Sequence, residues 1–138
     1  MSLLPKSCFA VLLITGCGRG DPAPAGVPEV PVHPHIRVTA PSAGALIATP
    51  LTVAGEARGS WYFEASFPVR LVDGSGRQLA IVPAQAKGEW MTSNFVPFEI
   101  QLGFTPPPGG GGFLILQKDN PSGLPEHADS LVIPVRFR

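Results

Sequence analysis

A chain of 138 residues is one domain's worth of polypeptide, because hydrophobic cores divide only at about 250 residues or more. Gly 16 and Pro 17 make it rich in turns, yet 40 residues are Leu, Ile, Val or Phe, well above the roughly 20% below which a chain stays disordered. Ten cations balance ten anions, and only 14% of residues are charged, which excludes the electrostatic footprint of a nucleic-acid binder.

The chain opens MSLLPKSCFAVLLITGC, in which Lys6 gives one positive charge and Cys8 to Ile14 form an apolar run of seven. Seven residues fall short of the about 20 that cross a bilayer core, but suit the apolar stretch of a secretory signal. The run ends Ile14-Thr15-Gly16-Cys17, a branched apolar residue and a small pair directly before a cysteine. This resembles the lipobox of bacterial lipoproteins. The resemblance implies that residues 1–16 are a signal peptide and that Cys17 becomes the N-terminus, carrying a diacylglycerol thioether and palmitate. The expected location is outside the cytoplasm, anchored to a membrane of the bacterial cell envelope. With Cys8 removed, one cysteine remains, and no internal disulfide can form.

Residues 17–34 hold the lipidated cysteine and a Pro-rich spacer, with five prolines between Asp21 and His35. Proline fixes φ and removes a donor, so an extended, solvated segment is expected. His33 and His35, with Glu29 near them, do not make a closed ligand set, so neither a metal nor a cofactor is expected.

From residue 35 to 138 the pattern changes to short alternations broken by Gly and Pro. Ile36 and Val38 alternate with Arg37 and Thr39, then Pro41-Ser42-Ala43-Gly44 turns the chain, and Leu51 and Val53 follow. Phe67, Val69 and Leu71 lead to Asp73-Gly74-Ser75-Gly76, a hairpin turn, beyond which Leu79 and Ile81 resume. Phe98, Ile100, Leu102 and Phe104 share one face; Phe113–Gln117 is apolar on both faces and therefore central. Leu131, Ile133, Val135 and Phe137 alternate last. About seven strands and no helical period predict an all-β fold, an antiparallel β-sandwich. Pro134 implies that the last strand is an edge or is bulged there, and Trp61 or Trp90 must fill the core.

Three stretches carry a further resemblance: IRVTAPSAGALIATPLTVAGEARG (residues 36–59), WYFEASFPVRLVDGSG (residues 61–76) and FLILQKDNPSGLPEHADSLVIPVRF (residues 113–137). Together they resemble the immunoglobulin-like domain of bacterial spore-germination lipoproteins. That implies an immunoglobulin-like sandwich acting as an interaction module, in a family linked to spore germination, with no catalytic residues.

Two stretches are candidate contacts. Asn120, Ser122 and Glu126 in NPSGLPE present polar groups on a loop, although Pro121, Gly123 and Pro125 equally mark the loop as a series of turns. Trp61, Tyr62 and Trp90 are aromatic candidates that could stack on a sugar. Strict alternation through Trp61-Tyr62-Phe63-Glu64 buries Trp61 and Phe63 and leaves Tyr62 at the rim. No Gly-x-Ser-x-Gly elbow occurs, and His127 with Glu126 and Asp129 lacks a nucleophile, so no catalytic residue is expected. The sequence thus points to a lipid-anchored, non-catalytic module that meets an envelope protein, with a carbohydrate or peptidoglycan-binding module as the alternative.

Overall fold

Alternation becomes two sheets in the computed structural model, which describes residues 31–138. The signal segment, Cys17, Glu29 and most of the spacer lie outside the described residues. Eight strands follow in order: β1 (Ile36–Ala40), β2 (Ala45–Ile47), β3 (Leu51–Arg58), β4 (Ser66–Asp73), β5 (Gln78–Gln85), β6 (Phe95–Leu102), β7 (Gly111–Gln117) and β8 (Ser130–Phe137). One sheet has the order β1-β3-β6 and the other β2-β8-β7-β4-β5. All pairings are antiparallel except β2 with β8. This is the immunoglobulin-like sandwich expected from the sequence.

Period-2 patterning places the core. Val53 and Ala57 on β3 and Val96, Phe98 and Ile100 on β6 face Phe67, Val69 and Leu71 on β4 and Leu114 and Leu116 on β7; all are buried in one cluster. Phe67 and Phe98 meet across the two sheets edge to face, ring centroids 5.0 Å apart, and Tyr62 meets Phe67 edge to face at 5.2 Å. Trp61 supplies the tryptophan core filling and is 1% exposed. The described residues contain no cysteine, so apolar contact and backbone hydrogen bonds hold the sheets together.

The hairpin between β4 and β5 forms where Asp73-Gly74-Ser75-Gly76 predicts it. Asp73 Oδ1 accepts from Ser75 N, Ser75 Oγ and Arg77 N at 2.9, 2.6 and 2.9 Å. The Ser75 side chain first, then these backbone N–H groups, hold the Asp73 carboxyl below its usual range.

The structure adds one strand and corrects one expectation. To the seven runs of the sequence it adds β2 at Ala45–Ile47, paired in parallel with Val135–Phe137. Three residues are too few to display a period, and the partner lies some ninety residues further along. Nor is β8 an edge strand: it lies between β2 and β7. Pro134 is tolerated because β2 covers only Val135–Phe137. The Pro134 carbonyl faces the β2 side, accepting from Gly44 N at 2.7 Å, so its missing N–H points where no strand partner exists.

Candidate functional site

Strand direction gathers the loops. The ends of β3, β5 and β7 and the starts of β1, β4, β6 and β8 lie at one end of the sandwich, as their registers require. That end therefore carries the β3–β4, β5–β6 and β7–β8 loops, together with the segment preceding β1. Rigid sheets that fix several loops side by side form a recognition surface.

The β3–β4 loop begins with a 3₁₀ turn at Gly59–Trp61. This turn breaks the period of two, and it corrects the alternation drawn for Trp61-Tyr62-Phe63-Glu64. Trp61 is buried as expected, but Tyr62 is 4% exposed and Phe63 is 42% exposed. Tyr62 donates its hydroxyl to the Val96 carbonyl at 2.7 Å, and burial keeps the phenol protonated well above its ordinary pKa. Phe63 and Ser66 exchange backbone hydrogen bonds of 2.9 and 3.1 Å around Glu64 and Ala65, whose φ values are 48° and 65°. That is a two-residue hairpin turn with left-handed geometry at both central positions, built without glycine.

Gly59 seats the β5–β6 loop. A Cβ there would run into the backbone carbonyls of Trp90 and Thr92, so only glycine allows this approach. Beside it lies an open groove of about 620 Å³, lined by His35, Arg58, Trp90, Met91 and Thr92 among others. Trp90 is half-buried in its wall and Met91 is 75% exposed. Arg58 donates to the Ser93 carbonyl at 3.0 Å, and its guanidinium lies 4.1 Å from the centroid of the Phe95 ring, which Arg37 approaches at 3.9 Å.

The β7–β8 loop uses its own polar groups. Asn120 Nδ2 donates to the Leu124 carbonyl at 2.9 Å, Ser122 Oγ donates to Asn120 Oδ1 at 2.6 Å, and Leu124 N donates to Ser122 Oγ at 3.2 Å. Gly123, with φ of 67°, completes the turn. Asn120 and Ser122 therefore shape the loop, whereas Glu126, in the 3₁₀ turn Pro125–His127, is exposed and turned outward with Leu124 nearby. The structure thus brings Trp90 and the 120–126 loop to the same end, on either side of Ser60 and Tyr62.

Sequence reasoning missed the apolar tips of this end. Phe63, Met91 and Leu124 are each exposed, and each lies within two residues of an exposed glutamate: Glu64, Glu89 and Glu126 respectively. An apolar residue within two positions of a glutamate, in a segment between strands, was the available signal. His33 completes the end: its ring meets Trp61 edge-on at 5.0 Å, Nε2 lies 3.2 Å from Asp129 Oδ1, and Nδ1 accepts from His35 N at 3.1 Å. The Nδ1 contact fixes the neutral ring as the Nε2–H form, with Asp129 as acceptor. The chain is thus tied to the domain two residues before the expected boundary at residue 35.

No group of three or more His, Cys, Asp or Glu among the described residues is placed to hold a metal ion, and no described helix is long and apolar enough to cross a membrane. Comparison with curated proteins and with solved structures finds no match. A family model described as the immunoglobulin-like domain of bacterial spore germination (Gmad2) matches residues 35–123, from the start of β1 to the turn after β7. That stretch is more than half of the chain and carries all of the three-stranded sheet and most of the five-stranded one. The chain therefore belongs to the family of immunoglobulin-like domains of bacterial spore germination.

Proposed function

We propose that this chain is an exported, lipid-anchored module that acts without catalysis, by binding a protein partner in the cell envelope through the loop end of its sandwich. The observation that carries the reading is the convergence of three loops, each offering an exposed apolar residue beside an exposed glutamate. Apolar tips ringed by charge match the composition of a protein-binding patch, with a desolvated centre and a polar rim. The glutamates favour a partner that presents basic residues around an apolar knob. The Ile14-Thr15-Gly16-Cys17 motif supports the anchor.

The glycan reading has less support. A sugar platform needs accessible aromatic faces, and Trp61 and Tyr62 are buried while Trp90 stands alone. Photo-crosslinking amino acids at Phe63, Met91 and Leu124, compared with Ser75 and Gly109 at the opposite end, test the binding surface in cells. A discrete protein adduct from the loop-end positions alone is expected. Adducts to cell-wall glycan, or equal labelling at both ends, would reject the reading. Fractionation of Cys17→Ala tests the anchor separately, with loss from the membrane fraction expected.

A further inference from the structure

The groove beside Gly59 differs in charge from the loops around it. Its lining of His35, Arg58, Ser60, Trp90, Met91 and Thr92, among others, includes no carboxylate. Glu64, Glu89 and Glu126 stand exposed at the same end of the sandwich. A cation thus lies inside the groove, and the acids lie outside it.

Arg58 is that cation, and it is held in place by the Ser93 carbonyl at 3.0 Å and by the Phe95 ring. Arg37 approaches the same ring, but its charge is met by Glu56 at 3.0 Å. Arg58 pairs with no carboxylate among the described residues. A guanidinium carries five donors in a planar fork, so most of this one stays uncommitted. Fixing it beforehand removes rotamer entropy that a mobile surface arginine would lose on binding. The apolar wall is braced as well. Thr92 N donates to the Trp90 carbonyl at 2.8 Å, and Gly59 N donates to the Asn94 carbonyl at 3.2 Å. Half-buried Trp90 and exposed Met91 therefore offer an indole and a thioether in the same groove as a fixed cation.

Given that the loop end is the binding surface, we infer that this groove takes an extended segment of the partner protein with an aromatic or aliphatic side chain next to a side-chain carboxylate. The apolar side chain packs on Trp90 and Met91, whose thioether adapts to irregular shapes. The carboxylate pairs with the uncommitted donors of Arg58, a charge-assisted contact that fixes the segment's register. Basic residues flanking the segment meet the glutamates outside the groove. A neutral sugar would leave the guanidinium without a counter-charge. A nucleic acid would bring its phosphates against Glu64, Glu89 and Glu126. An inorganic anion would make no use of the Trp90 and Met91 wall.

A random peptide library displayed on phage, selected against the immobilised full chain in detergent, tests this chemistry. Selected sequences should place Asp or Glu next to Trp, Phe or Leu. The tightest of them, made as a free peptide, should bind Arg58→Gln more weakly by about tenfold or more, with circular dichroism showing the variant folded. Replacing the peptide's own acid by its amide should cost as much against the unsubstituted chain, a readout that needs no altered protein. Both changes together should cost little more than either one, because they remove the same contact. Selected sequences without an acid, or a peptide held equally well by Arg58→Gln, would overturn the inference. Protein adducts from Phe63, Met91 and Leu124 alone would then show that the surface stands and only the carboxylate is wrong. Adducts spread over both ends would reject the surface itself, and the inference with it.

Discussion

Tyr62 shows how one side chain can be read wrongly as a surface group and still be structurally decisive. Alternation through Trp61-Tyr62-Phe63-Glu64 assumes an extended chain, and the 3₁₀ turn at Gly59–Trp61 rotates the register by a residue. Nothing in the types Gly-Ser-Trp signals that turn; it arises because Gly59 fits beneath the Trp90 and Thr92 carbonyls, a tertiary contact. With its hydroxyl on the Val96 carbonyl and its ring on Phe67, Tyr62 joins the β3–β4 loop to both sheets. Tyr62→Phe should cost about 0.5–1.5 kcal/mol, the net worth of the buried hydrogen bond to the Val96 carbonyl. The pH dependence has a defined sign. Burial raises the folded-state pKa above the ordinary value of 10.0, so both states hold the proton below that pH and stability does not vary through this group. Above it the unfolded chain ionises while the folded chain does not, and stability falls. The advantage of the native protein over Tyr62→Phe should therefore be constant up to about pH 10 and shrink beyond it. Because Tyr62 is the single tyrosine, tyrosinate absorbance reads it directly and should appear together with unfolding.

At the level of elements, patterning carried far in the strands and much less in what joins them. Seven alternating or apolar runs became β1 and β3 to β8 because each buries one face, and burial of one face is what a period of two records. β2 escaped because a three-residue strand has no period to read. The Asn120–Glu126 loop was legible as turns from Pro121, Gly123 and Pro125, and its polar side chains do close those turns. The turn at Glu64 and Ala65 was not legible. Its left-handed geometry normally calls for Asn-Gly or a similar pair, and the sequence supplies neither. A residue with a Cβ pays about 1 kcal/mol or more in that region. Ala65→Gly should therefore stabilise the domain by roughly 1 kcal/mol, raising the melting temperature by about 4–8 °C as followed by circular dichroism. An unchanged or lowered melting temperature would mean that the Ala65 methyl makes a compensating contact. Strained geometry of this kind concentrates at functional loops, and this turn holds Phe63 and Glu64 at the loop end.

Across the whole molecule, one buried cluster spans both sheets and both ends, from Trp61 and Tyr62 to Phe104 and Phe137. Without a boundary inside that cluster the sheets cannot melt separately. Thermal unfolding followed by tryptophan fluorescence, dominated by buried Trp61, should coincide with unfolding followed by backbone circular dichroism; two separated transitions would show that the sheets are independent units. The contact between His33 and Asp129 has a consequence at a larger scale. It sets the length of the leash, because the chain is bound to the domain from His33 onward, sixteen residues beyond Cys17. A fully extended span of that length is at most roughly 55 Å. Under the lipid-anchored reading, Phe63, Met91 and Leu124 stay within such a shell above the bilayer, at the end where the leash is attached. A partner fixed in the same membrane is then met by diffusion in two dimensions, inside a shell no taller than that leash. In that reading the three apolar tips and three glutamates need hold a complex only within the shell, and not in free solution.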